Sequence, residues 1–172
     1  MIDRSIREEI WNNSREFNSI GLLKLMEDSG ANFVDRNTIG IYGFATYHTV
    51  YLDLKRIKQF PPTFLFFVIL HETAHFKRIT KMGGKDGIIQ LLSITDFDEF
   101  VDAVINEEVI ADRYACYVFN VLNGRLLSRE VTQNLHHEQA RANYKNNNAR
   151  FLFGVVKNDE ETYHRLCESF FV

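Results

Sequence analysis

Residues 71 to 75 read His71-Glu72-Thr73-Ala74-His75, and they stand where the most apolar run of the chain, Phe64 to Leu70, ends. Three titratable groups at that point need either solvent or a partner that makes their burial favourable. On a helix, His71 and His75 are one turn apart, so both imidazoles leave the same face and can bind one ion. Glu72 is offset by about 100° and can reach a water on that ion without being a ligand itself. Zinc suits such a pair, because imidazole nitrogens at about 2.0–2.1 Å satisfy its tetrahedral preference and leave a position for water.

A second pair of groups lies on a later segment. If residues 96–122 are helical, Val101, Val104, Ile105, Ala111, Ala115, Val118 and Phe119 form an apolar stripe, and Glu108 and Asp112 fall on it. Two carboxylates one turn apart are then aimed at the core, where bare charges are costly unless paired or bound to metal. A protonated carboxylate, or one paired with Arg78 or Arg113, is the plain explanation. The His71–His75 segment offers no Lys or Arg at its buried centre, however, only the two histidines. One carboxylate can complete a metal shell, and the other can accept the second N–H of a ligating histidine and fix its tautomer. Helical phase separates Glu108 from its neighbour Glu107 by about 100°. Glu108 keeps to the stripe, whereas Glu107 shares a side with Ala103, Ile110 and Tyr114.

The elements that must position these residues are readable from pattern. Residues 3–28 are expected to be helical with a break near Asn12-Asn13-Ser14, an inner face drawn from Ile6, Ile10, Phe17, Ile20 and Leu23, and a stop at Gly30. From Phe33 to Leu54 the character is β, with strands over 38–44 and 49–54 that predict a small antiparallel sheet. Pro61-Pro62-Thr63 opens the helix that carries the histidines, since proline is tolerated in a first turn. This helix is expected to reach about Lys81 and to end before Gly83-Gly84. Thr95, with Asp98 three residues on, is expected to cap the next helix, which Asn123-Gly124 stops. Helices over Ser128 to about Tyr144 and Asp159 to about Phe170 complete an α-rich C-terminal half.

Whole-chain properties bound the rest. With 172 residues, 45% of them apolar, the chain suffices for one well-packed core, so residues 1–172 read as a single domain of the α+β class. A net charge of −3 with scattered Lys and Arg gives no basic stripe, which argues against nucleic acid as a partner. The apolar run is far shorter than the roughly 20 residues needed to cross a bilayer, so no membrane partner is expected. Cys116 and Cys167 are far apart in apolar-periodic segments and read as buried free thiols. A cytoplasmic protein is the expectation.

His71-Glu72-Thr73-Ala74-His75, followed about thirty residues later by Glu108-Val109-Ile110-Ala111-Asp112, resembles the HExxH plus ExxAD signature of gluzincin zinc metallopeptidases. The short length and the β segment just before the HExxH helix are most similar to the ImmA/IrrE-like group associated with phages and mobile elements. A metzincin would need Gly and His where this chain has Arg78 and Lys81. The resemblance implies a zincin-like fold, with the small sheet packed on the HExxH helix and Zn2+ held by His71, His75 and Glu108. It implies Asp112 as the residue behind a ligating histidine and Glu72 as general base. The implied activity is hydrolysis of peptide bonds in a protein or peptide substrate, such as a regulator or a phage component. Such peptidases align the substrate along an edge strand, for which 49–54 is the candidate. Tyr114, His136, His137 and Tyr144 stay open as donors to the developing oxyanion. A non-catalytic module that keeps the zinc and uses the groove to bind or sense a partner is the alternative, and the intact Glu72 favours the enzyme.

Overall fold

A computed structural model describes residues 1–36 and 42–125. The two helices expected beyond Ser128, with His136, His137, Tyr144 and Cys167, lie outside the described residues, as does the first part of the strand expected from Thr38. The architecture is mixed α+β, with a small three-stranded sheet among helices.

The N-terminal stretch is two helices, α1 (Arg4–Asn12) and α2 (Ser19–Ser29), broken where the sequence predicts. Asn18 starts the second by accepting the Gly21 N–H at 2.8 Å on its side chain. Gly30 ends it at φ 78°, a conformation that carries no Cβ penalty for glycine. Ile6, Ile10, Leu22, Leu23 and Met26 are buried. Ile20, expected inside, is 68% exposed instead. The break resets the helical phase, so Leu22 and Met26 take the inner positions.

The strands are β1 (Asn32–Asp35), β2 (Gly43–Ala45) and β3 (Thr49–Leu52), in the order β1-β3-β2. The sheet is not purely antiparallel. β2 and β3 form an antiparallel hairpin, but β1 runs parallel to β3, with Phe33 beside Val50 and both fully buried. Two reversals of direction separate β1 from β3, and β3 returns into the middle position, so these neighbours must be parallel. β3 is therefore the central strand and has no free edge for a substrate. The outer edge of β1 is covered by the chain's own first residues, since Phe33 donates to Met1 O at 2.8 Å and Asp3 N–H donates to Phe33 O at 2.9 Å. Among the described residues nothing pairs with the outer edge of β2.

Leu54, expected to close the strand, begins a single helical turn, α3 (Leu54–Ile57), because the Asp53 carboxylate accepts the Arg56 N–H at 3.1 Å and caps it. Helix α4 (Pro62–Lys81) has the expected bounds, with proline in its first turn and Gly83 and Gly84 at positive φ after it. Every side chain from Phe64 to Leu70 is buried, because α4 is enclosed by β2 and β3, α2 and α6. A short helix not expected from the sequence, α5 (Lys85–Leu92), follows. Helix α6 (Phe97–Asn123) starts from Asp96, not Thr95: its carboxylate accepts the Glu99 N–H at 2.8 Å and also carries negative charge to the positive helix end. Gly124 ends α6 at φ 63°. The seam between α4 and α6 is the most extensive packing among the described elements, and the small side chains Ala74, Ala111 and Ala115 are buried there. Among the described residues no helix is long and apolar enough to cross a membrane.

Candidate metal centre

Across this seam α4 presents His71 and His75, and α6 presents Glu108 and Asp112. His71 Nε2 lies 3.0 Å from His75 Nε2 and 3.2 Å from Glu108 Oε2, and His75 Nε2 lies 3.3 Å from Glu108 Oε1. Two ligand atoms about 2.05 Å from a tetrahedral ion stand about 3.3 Å apart. Each separation is close to that of two ligands on one ion, although the two that end on Glu108 reach different oxygens of its carboxylate. Their donor atoms all fall within 4.8 Å of one another, so the group could hold one metal ion. Two nitrogens and a carboxylate oxygen are a donor set suited to zinc.

The electrostatics ask for positive charge at the same point. Burial opposes protonation of His71, yet hydrogen bonds to Asp112 and Glu108, with the charges of Glu72 and Glu108, leave it pushed up to about 10. Burial likewise opposes the charge on Glu108, but hydrogen bonds from His71 and His75 hold it well below the ordinary carboxylate range. In the metal-free protein a proton between His71 and Glu108 supplies the cation that the carboxylates require.

Asp112 lies behind His71, its Oδ1 at 2.9 Å from the Nδ1. With Nδ1–H donating to this carboxylate, Nε2 is the nitrogen that would turn a lone pair to an ion once its proton is displaced. Glu72 leaves the helix on another side, under the sheet. It is 7% exposed and has no hydrogen-bond partner among the described residues, and burial pushes its pKa up. Strand β2 passes close over it at Gly43. Cys116, one turn beyond Asp112, is a half-buried free thiol, and burial, with the Asp112 charge, pushes its pKa up.

Of the five residues expected at the site, His71, His75, Glu108 and Asp112 meet on this part of the α4–α6 seam, and Glu72 lies on another side of α4, against β2. The arginine pairing considered for the buried carboxylates does form, but with another acid. Arg78 binds Glu107, through Nε to Oε2 at 2.8 Å and Nη2 to Oε1 at 2.5 Å, and Arg113 is exposed. Glu107 therefore reaches α4 rather than turning toward the side of Tyr114. The signal was present: Arg78 is the next residue on the face of His71 and His75. Tyr114 accepts a hydrogen bond at 2.9 Å from Lys77, which leaves α4 about 200° round from His75.

Compared with protein-family models, with curated proteins and with solved structures, the chain matches none.

Proposed function

We propose that the chain is a zinc-dependent endopeptidase of the gluzincin type, on a zincin-like fold, that hydrolyses peptide bonds of a protein substrate. The observation that carries this reading is the convergence of the His71, His75 and Glu108 donor atoms within 4.8 Å of one another, with a buried carboxylate, Glu72, on the adjoining face of the same helix. His71, His75 and Glu108 would hold the ion. When bound, zinc supplies polarisation of the scissile carbonyl and lowers the pKa of an adjacent water toward neutrality.

The chain's own residues do the rest. Glu72, whose burial raises its proton affinity, accepts the proton of the attacking water and returns it to the leaving amine. Asp112 keeps His71 in the tautomer that a ligand needs. The outer edge of β2, with which no described strand pairs, suits an extended peptide. Thr46 N–H bonds to Thr49 O and Asp53 N–H to Tyr42 O, so the ladder alternation turns the N–H and C=O groups of Gly43 and Ala45 outward. A substrate strand added there runs beside Glu72. The ImmA/IrrE resemblance suggests a regulator or phage component as that substrate.

The test compares the purified protein with Glu72→Gln for zinc content and for hydrolysis of a mixed peptide library. Both should carry one zinc per chain, and the variant should turn over about 10²–10⁴-fold more slowly. Equal turnover removes the mechanism. Zinc in both with hydrolysis in neither supports the alternative, a module that binds a partner in the groove.

A further inference from the structure

Arg78 and Glu107 meet one turn beyond the metal-binding pair on the same helix seam. His71 faces Asp112 and His75 faces Glu108, four residues on along α4 and four residues back along α6. The next pair joins Arg78, three residues on from His75, to Glu107, one residue back from Glu108. Glu107 is joined to Glu108 by one peptide bond, so whatever holds Glu107 also holds the backbone that carries the third ligand.

We propose that the Arg78–Glu107 pair is a positioning clamp for Glu108, setting the height and rotation of α6 against α4 so that the carboxylate reaches the two histidines. This rests on the metal reading of the site and goes beyond it. The pair makes two parallel N–H···O bonds in a planar fork, which fixes direction as well as distance. A metal ligand has to be held within about 0.5 Å and 10–20° of its working geometry, and a fork on the neighbouring residue restrains both quantities. The clamp also disposes of a competitor. An unpaired guanidinium one turn beyond His75 would be free to compete for the Glu108 carboxylate and would repel the ion itself. Helical phase alone gives Glu107 no part in the site, and the ion pair gives it one.

The side chains are 33% and 16% exposed, so the pair is only partly shielded and its effect on global stability is modest. Its mark is an effect on metal affinity that exceeds the effect on folding. Zinc affinity is measured by chelator competition for wild type, Arg78→Lys, Arg78→Ala, Glu107→Gln and the exchanged double variant Arg78→Glu/Glu107→Arg, beside denaturation of each metal-free protein. Arg78→Lys keeps the charge and loses the fork, which guards against a variant that merely fails to fold. Affinity should fall on the order of 10–100-fold in the three single variants, as for other groups that orient a ligand, and recover in part in the exchanged pair. The visible spectrum of the cobalt(II)-loaded Arg78→Lys protein should shift as Glu108 moves. Wild-type binding with unchanged affinity in all three single variants overturns the clamp alone. Absence of zinc binding by wild type overturns the metal reading, and the clamp with it.

Discussion

Gly43 on β2 lies directly against Glu72 on α4: a Cβ added to the glycine would stand 3.1 Å from Glu72 Cγ and 2.9 Å from Tyr51 O. The strand can approach Glu72 this closely only without a side chain. Gly43→Ala should therefore push Glu72 aside or lift β2, with a loss of about 1–3 kcal/mol in stability from overpacking. None of the three proposed ligands is touched, so zinc content should hold while peptide hydrolysis drops at least tenfold. Thermal denaturation, elemental analysis and turnover on one preparation check this, and full activity in the variant would contradict the placement of Glu72 at the reacting centre.

The carboxylates of α6 should differ in their effect on the metal. Glu108→Gln removes a proposed ligand and should weaken zinc affinity most. Asp112→Asn keeps the shape beside His71 Nδ1 but weakens the hydrogen bond that orients it, so a loss of roughly 10–100-fold is expected. Competition with a chromogenic chelator ranks the two. A more damaging Asp112→Asn would exchange their roles.

The charge on His71 gives a pH dependence with a definite sign in the metal-free protein. Its pKa is pushed up from 6.5 to about 10 on folding. Below about pH 6.5 both folded and unfolded forms hold the proton and the stabilisation is fully present; as pH rises toward 10 only the folded form does, and the contribution is progressively lost. The denaturation midpoint of chelator-treated protein should accordingly fall between pH 7 and 10. Zinc binding at pH 8 should release a proton, which calorimetry in buffers of different ionisation enthalpy reads directly. A rising midpoint together with no proton release would count against the charged His71.

Strand β2 allows a test of substrate docking that leaves the metal alone. Ala45 turns its N–H away from β3, so Ala45→Pro removes an outward donor without breaking a ladder bond, at an edge where proline is tolerated. KM for peptide substrates should rise severalfold or more, with zinc content unchanged. An unaltered KM would mean that the substrate does not add to this edge.

How far the fold could be read from the sequence depends on how local each signal is. The bounds of α4 follow from Pro62 at one end and the glycine pair at the other, and the end of α6 from Gly124, all features within one turn of the boundary. The sheet is different: the place of β3 between β1 and β2 is decided by pairing Phe33 with Val50, residues far apart in the chain, and alternation within each strand carries no trace of it. Helix α5 has Gly84 at its start and no side-chain cap, so nothing in Lys85–Leu92 announces it. At the site, His71, Glu72 and His75 are legible because their spacing is a property of one helix. Glu108 and Asp112 required the phase of a second helix. The bond from Arg78 to Glu107 required the register between the two, which only packing provides.

The donors come from two helices joined through a long intervening segment, and this ties the proposed ion to the fold as a whole. A metal that binds the assembled seam and ignores the unfolded chain acts as a removable cross-link between His71 or His75 and Glu108. At a free concentration about 1,000 times its dissociation constant it would add roughly 4 kcal/mol to folding, a large share of the stability of an ordinary domain. Metal supply would then govern more than turnover: chain deprived of zinc would open more often at the α4–α6 seam, expose the Phe64–Leu70 segment and become a target for degradation.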